Sequence, residues 1–149
     1  MAAGKIRLQL KGFESLLEEI KKAEGNINQV VNDCMQKEIS ITKQCLVEEC
    51  VKSNVPDSIT REIKEEPIKW ENDRASSSVG WSLDDYDPRN PSTGYKAIFL
   101  NYGTPKRSKH GKVKARGFIL KAKKKAAKIA KKEHEESLNR ILGELKNDT

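Results

Sequence analysis

Between Phe118 and Leu145 the apolar residues Ile119, Ala122, Ala126, Ile129, Ala130, Leu138, Ile141, Leu142 and Leu145 recur close to an i, i+3, i+4, i+7 stripe. That is the pattern of a long helix with one buried side. What precedes it is short and apolar: Tyr95-Lys96-Ala97-Ile98-Phe99-Leu100 reads as a buried or half-buried strand. Asn101-Tyr102-Gly103-Thr104-Pro105 stops it, because Gly103 permits a positive φ and Pro105 cannot continue a sheet ladder. A basic loop from Lys106 to Lys114 follows, and the helix begins at about Ala115-Arg116-Gly117-Phe118. Phe99 and Phe118, on either side of the loop, are expected to bury against each other or against common neighbours.

The rest of the chain supplies partners for that helix. Lys5-Ile6-Arg7-Leu8-Gln9-Leu10-Lys11 alternates polar and apolar, as a strand with one buried face does, and Gly12 ends it. Phe13 to about Ser53 has helical spacing through Leu16, Leu17, Ile20, Ala23, Ile27, Val30, Val31, Cys34, Ile41, Cys45 and Leu46. Gly25-Asn26 interrupts it, which predicts a kink or two abutting helices. Asn54-Val55-Pro56-Asp57 is a stop. Ile63 to Glu71 reads as an edge strand, since Pro67 excludes a central one. Asn72-Asp73-Arg74 is a candidate hairpin turn and Ala75 to Leu83 its return strand. Asp84 to Thr93 reads as a solvated, turn-rich loop whose acids lack the spacing of a calcium loop. These elements predict an α+β fold in one domain spanning residues 1–149, a small and mostly antiparallel sheet with two long helices packed on one face.

Charge is unevenly placed. Thirteen Lys and Arg and no acid lie between Pro105 and Lys132, while the remainder carries 16 Lys and Arg against 22 Asp and Glu. Such a two-signed molecule suits docking on itself or an acidic partner as well as it suits nucleic acid. Lys121, Lys123, Lys124, Lys125, Lys128, Lys131 and Lys132 cover the expected exposed arc of the last helix. Three readings stand: a solvated face, a dock for acidic protein, or contact with a phosphate backbone. Against the last, the chain has only 5% aromatic residues and a run almost wholly of Lys, a point-charge donor.

Catalytic chemistry has no candidate constellation. No Gly-rich phosphate loop precedes a helix and no Gly-x-Ser-x-Gly occurs, so no enzyme is expected. Cys34, Cys45 and Cys50 lack paired spacing and read as small core residues, and a zinc site would have only His110 and His134 to add. His134 is placed on the polar side of the last helix. Neither a metal nor a cofactor nor a small-molecule substrate is expected. No apolar run reaches membrane-spanning length and the first residues lack a signal-peptide core, so a protein made and kept in a cytosol is expected.

Tyr102-Gly103-Thr104, a loop, and then Ala115-Arg116-Gly117-Phe118-Ile119-Leu120 with Ala122 resembles a family of small tailed-phage neck and tail-completion proteins. Members have an aromatic or acidic residue before Gly-Thr and Ala-Arg-Pro-Phe opening the last helix. Here Gly117 stands in place of Pro, and Asn101-Tyr102 replaces an acidic-aromatic pair. A family Pro-x-x-Thr-Gly segment is matched only loosely by Pro56-Asp57-Ser58-Ile59-Thr60. The resemblance implies a structural virion protein, assembled in the host bacterial cytoplasm, forming a homo-oligomeric ring. That ring would complete the tail and join it to the head connector, or cap a headless tail-like bacteriocin. Implied partners are other copies, neighbouring neck, tail-tube or tail-terminator proteins, and transiently DNA in the channel. The resemblance carries over Tyr102, Gly103, Thr104, Arg116 and Phe118, with Gly103 serving the corner and Phe118 the core; together with the basic run they give an expected partner interface of Tyr102, Gly103, Thr104, Lys106, Arg107, Lys109, Lys112, Arg116, Lys124, Lys125 and Lys128. Within it Arg116 either reaches a partner or pins the loop. The competing expectation is a small basic nucleic-acid-binding protein.

Overall fold

The computed structural model describes residues 4–72, 74–82, 93–107 and 111–147. Strand β1 (Lys5–Gln9) leads through α1 (Glu14–Lys22) into the long α2 (Ile27–Lys52). A single turn, α3 (Asp57–Thr60), precedes β2 (Lys64–Glu65), β3 (Lys69–Glu71) and β4 (Arg74–Gly80). Then come α4 (Thr93–Tyr102), the hairpin β5 (Thr104–Arg107) and β6 (Gly111–Val113), and α5 (Phe118–Asn147). The fold is α+β.

The sheet is antiparallel and centred on β4, with β1 on one side and β2 and β3 on the other. β2 and β3 act as one edge strand broken around Pro67, which has no N–H to give a ladder. The alternation of β1 is realised: Ile6 and Leu8 are buried opposite Val79 and Ser77. α2 lies on that face, and α5 runs along α2 and touches β1. The interruption at Gly25-Asn26 is a true break into two helices. Asn26 caps the second, its side chain accepting from the Gln29 N–H at 3.2 Å.

Three expectations are corrected. Tyr95–Leu100 is not a strand but the middle of α4. Its buried residues, Gly94, Ala97 and Asn101, are spaced three and four apart, so one side of a helix is satisfied rather than one face of a strand. The segment read as a loop from Lys106 contains the β5–β6 hairpin, with Thr104 opposite Val113 and Arg107 opposite Gly111. Phe99 and Phe118 do not form a common core. Phe118 is fully buried and meets Trp81 edge-on at 6.0 Å, whereas Phe99 is 39% exposed. Trp81 in turn donates its indole N–H to the Ile59 carbonyl at 2.8 Å, satisfying the one polar atom it buries. The Asp84–Thr93 loop lies outside the described residues except for Thr93.

Cys34, Cys45 and Cys50 are buried and free, as small core residues should be, and burial pushes the Cys50 thiol up to about 12. Phe118→Ala should lower unfolding free energy by about 3–5 kcal/mol, the usual cost of deleting a buried aromatic ring. Phe99→Ala should change it by less than about 1 kcal/mol, as surface truncations do. Urea denaturation of both variants distinguishes this packing from a core pivoting on Phe99.

Candidate functional site

The two halves of the Gly-Thr and Ala-Arg motif meet at one joint. α4 ends with the Gly103 N–H bonded to the Phe99 carbonyl at 2.8 Å, and Gly103 has φ +78°, as expected of a left-handed corner. The chain leaves through β5, returns through β6, and passes under the end of α4. There the Arg116 and Gly117 N–H groups donate to the Leu100 and Asn101 carbonyls, both at 3.0 Å. The buried Asn101 side chain accepts the Ile119 N–H at 2.8 Å, capping α5 from a residue 18 positions earlier.

Arg116 reaches across to a third element. Its guanidinium donates to the Ser53 and Asn54 carbonyls at 3.2 and 3.1 Å. These carbonyls close the C-terminal end of α2, where a cation also meets the negative end of the helix dipole. Tyr102, beside the corner, is exposed. Thr104, Lys106, Arg107 and Lys112 lie on the hairpin strands, and Lys109 falls outside the described residues.

The lysine face of α5 divides in two. Lys121, Lys123, Lys124, Lys128, Lys131 and Lys132 are exposed. Lys125 instead folds back onto α2 and donates to Glu48 at 2.6 Å. That hydrogen bond lowers the Glu48 carboxyl below its ordinary range and raises the Lys125 ammonium. Two carboxylates outside the basic segment are engaged within the chain: Glu65 meets Lys43 at 3.6 Å, and Glu66 is bonded to Lys5 and Ser78.

A second cluster surrounds His134, whose polarity alone predicts a place on the polar side of α5. His134 is only 2% exposed. Nε2 lies 3.3 Å from a Glu38 carboxylate oxygen on α2, and Phe13 meets the ring edge-on at 5.7 Å. The available signal was spacing: Ala130, His134, Leu138 and Leu142 step by four along one buried row. Loss of water pulls the imidazole pKa down, but Cys34 and Glu38 outweigh that and hold it up, at about 9. Nδ1 makes no aligned hydrogen bond, so Glu38 is the geometrically defined partner. Among the described residues no group of three or more His, Cys, Asp or Glu is placed to hold a metal ion, and no helix is long and apolar enough to cross a membrane.

No protein-family model, curated protein or solved structure matches this chain.

Two outcomes are expected. Arg116→Ala should cost about 1–3 kcal/mol in a urea melt, because charged hydrogen bonds to two helix-end carbonyls are lost. Both bonds come from the single nitrogen Nη1, so Arg116→Lys, whose ammonium also carries several donors on one atom, should recover part of that loss. For His134, a folded pKa of about 9 against an ordinary 6.5 stabilises the fold fully below pH 6.5. That contribution is lost as pH rises through 9. Denaturant midpoints from pH 6 to 9.5 should therefore fall by the equivalent of roughly 2–4 kcal/mol. In His134→Gln the decline over this window should flatten, and an equal decline there would show that other groups cause it.

Proposed function

We propose that this chain is a structural assembly protein of a phage neck or tail end. It acts as one subunit of a homo-oligomeric ring that completes the tail and meets the head connector, or caps a headless tail-like particle. The observation that carries this reading is the joint itself. Arg116 and Gly117, from the second half of the family resemblance, are bonded to Leu100 and Asn101, the residues just before Tyr102-Gly103-Thr104, at the root of the β5–β6 hairpin. Among the described residues that hairpin forms a separate sheet from the one centred on β4. A hairpin held firmly at its base and unpaired at its edges is the kind of element that completes itself on a neighbour. The exposed lysines of α5 add a charged surface. Rim charges of this kind set encounter rate and register more than affinity.

The triple reversal Lys121→Glu, Lys124→Glu and Lys128→Glu leaves the Lys125–Glu48 pair intact. Its circular dichroism and melting temperature should match wild type, while oligomerisation, read by sedimentation and by electron microscopy of assembled particles, should fail. The failure should be deepest at low salt, where screening is weakest. Normal assembly of this variant would overturn the role of the lysine face. If wild-type protein also retained random duplex DNA with a steep log–log salt slope, that face would belong to a nucleic-acid-binding protein instead.

A further inference from the structure

Trp70 is 43% exposed on the broken edge strand of the sheet. Its position there follows from register. Trp70 pairs with Ala75 across β3 and β4, and directly opposed residues share a face. Ala75 is buried under α2, so Trp70 stands on the helix-bearing side, past the end of the core. Lys69 and Glu71, its neighbours, point to the other face by alternation. Across from the indole is the first turn and a half of α2. Together Asn26, Asn28, Gln29, Asn32 and Trp70 line an open groove of about 480 Å³.

The polar groups of this groove are not all in use. Asn26 caps α2, and the Gln29 amide donates to Asp33 at 2.9 Å. Asn28 and Asn32, one helical turn apart on the same side, make no side-chain hydrogen bond among the described residues, and neither does the Trp70 indole. The groove thus offers two free primary amides, each with two donors and an acceptor, beside an uncovered aromatic face.

We infer that the Trp70–Asn28–Asn32 groove binds a neutral, pyranose-containing oligosaccharide. A pyranose ring presents polarised C–H groups on its flat side, which an aromatic face attracts through its negative quadrupole. Its rim carries vicinal hydroxyls, each both donor and acceptor, the pattern a primary amide satisfies with its N–H and C=O together. A nucleobase would also stack on Trp70, but its phosphates require cations, and no Lys or Arg lines the groove. An apolar peptide would leave the amides buried and unpaired. The lysine surface of α5 plays no part in this site.

The test is a titration of the full-length, ¹⁵N-labelled chain with cellotetraose, maltotetraose, chitotetraose and a deoxyadenosine tetranucleotide. At least one sugar should shift the Trp70 indole N–H and the Asn28 and Asn32 side-chain amides, saturating with a Kd on the order of 1 mM. The Trp81 indole, buried and bonded to Ile59, should stay still. Trp70→Ala and Asn32→Ala, each checked for native circular dichroism, should weaken binding at least about tenfold. Asn32→Ala alters only a helix-surface side chain, so it remains informative if Trp70→Ala disturbs the edge strand. Absence of shifts with all three sugars at roughly 20 mM, well above the Kd of a weak site, would overturn the inference. So would shifts that survive both substitutions, or saturation by the tetranucleotide in place of the sugars.

Discussion

Along the contact between α2 and α5, α5 offers Ala122, Ala126 and Ala130, and α2 offers Cys34, Thr42 and Cys45, all buried. Small side chains on both sides let two helix axes approach toward the near end of the usual 8–10 Å. The antiparallel register is fixed at two points, Glu48 with Lys125 and Glu38 with His134. Everything else leans on this pair. Ile6, Leu8 and Val79 of the sheet bury against α2, and Phe118 closes the far end against Trp81. Ile20 of α1 packs with Leu138 and Leu142 where α5 passes beyond the sheet. Slipping α5 by one turn would misplace both charged pairs and leave His134 buried without its carboxylate, a cost of several kcal/mol where a charged group is uncompensated.

The joint at Arg116–Gly117 keeps that register. Gly117 has φ +61° and its N–H is bonded to Asn101. A proline there would have φ near −65° and no N–H. The glycine at this position therefore has a conformational consequence. The chain's entry to α5 uses a left-handed turn and a remote Asn101 cap. A prolyl entry would lose the left-handed turn and the bond from residue 117 to the Asn101 carbonyl.

Much of the scaffold was legible because it rests on local periodicity. β1 alternates, α2 and α5 carry long stripes, and Gly25-Asn26 breaks the helix where a glycine followed by an N-cap residue should. The α4 error has a physical origin too. A six-residue apolar run satisfies a buried strand and a helix segment equally, and only its burial, at Gly94, Ala97 and Asn101, separates them. The joint was half legible. Gly103 announced its corner, but the Asn101 cap and the Arg116 bonds to Ser53 and Asn54 are long-range and leave no local trace. At His134 polarity points to solvent and spacing to the core, and spacing decides. A polar residue falls on a buried row when a partner such as Glu38 waits on the facing helix.

The lysines left over after these internal pairings argue for something outside the chain. Glu38, Glu48, Glu65 and Glu66 are each taken by a cation of the same molecule. Lys121, Lys124 and Lys128 remain exposed on α5, and Lys124–Lys128, Lys121–Lys125 and Lys128–Lys132 are like charges one turn apart. Each such pair costs an isolated helix about 0.2–0.5 kcal/mol. The buried alanine row and Leu138 hold α5 in place despite that cost, so the repulsion is borne by packing elsewhere in the helix. A solvated face alone is served as well by mixed charges, which would relieve the repulsion and even add favourable one-turn pairs. Single-sign charge along one side of a helix gains a compensating term only when an anionic surface approaches it.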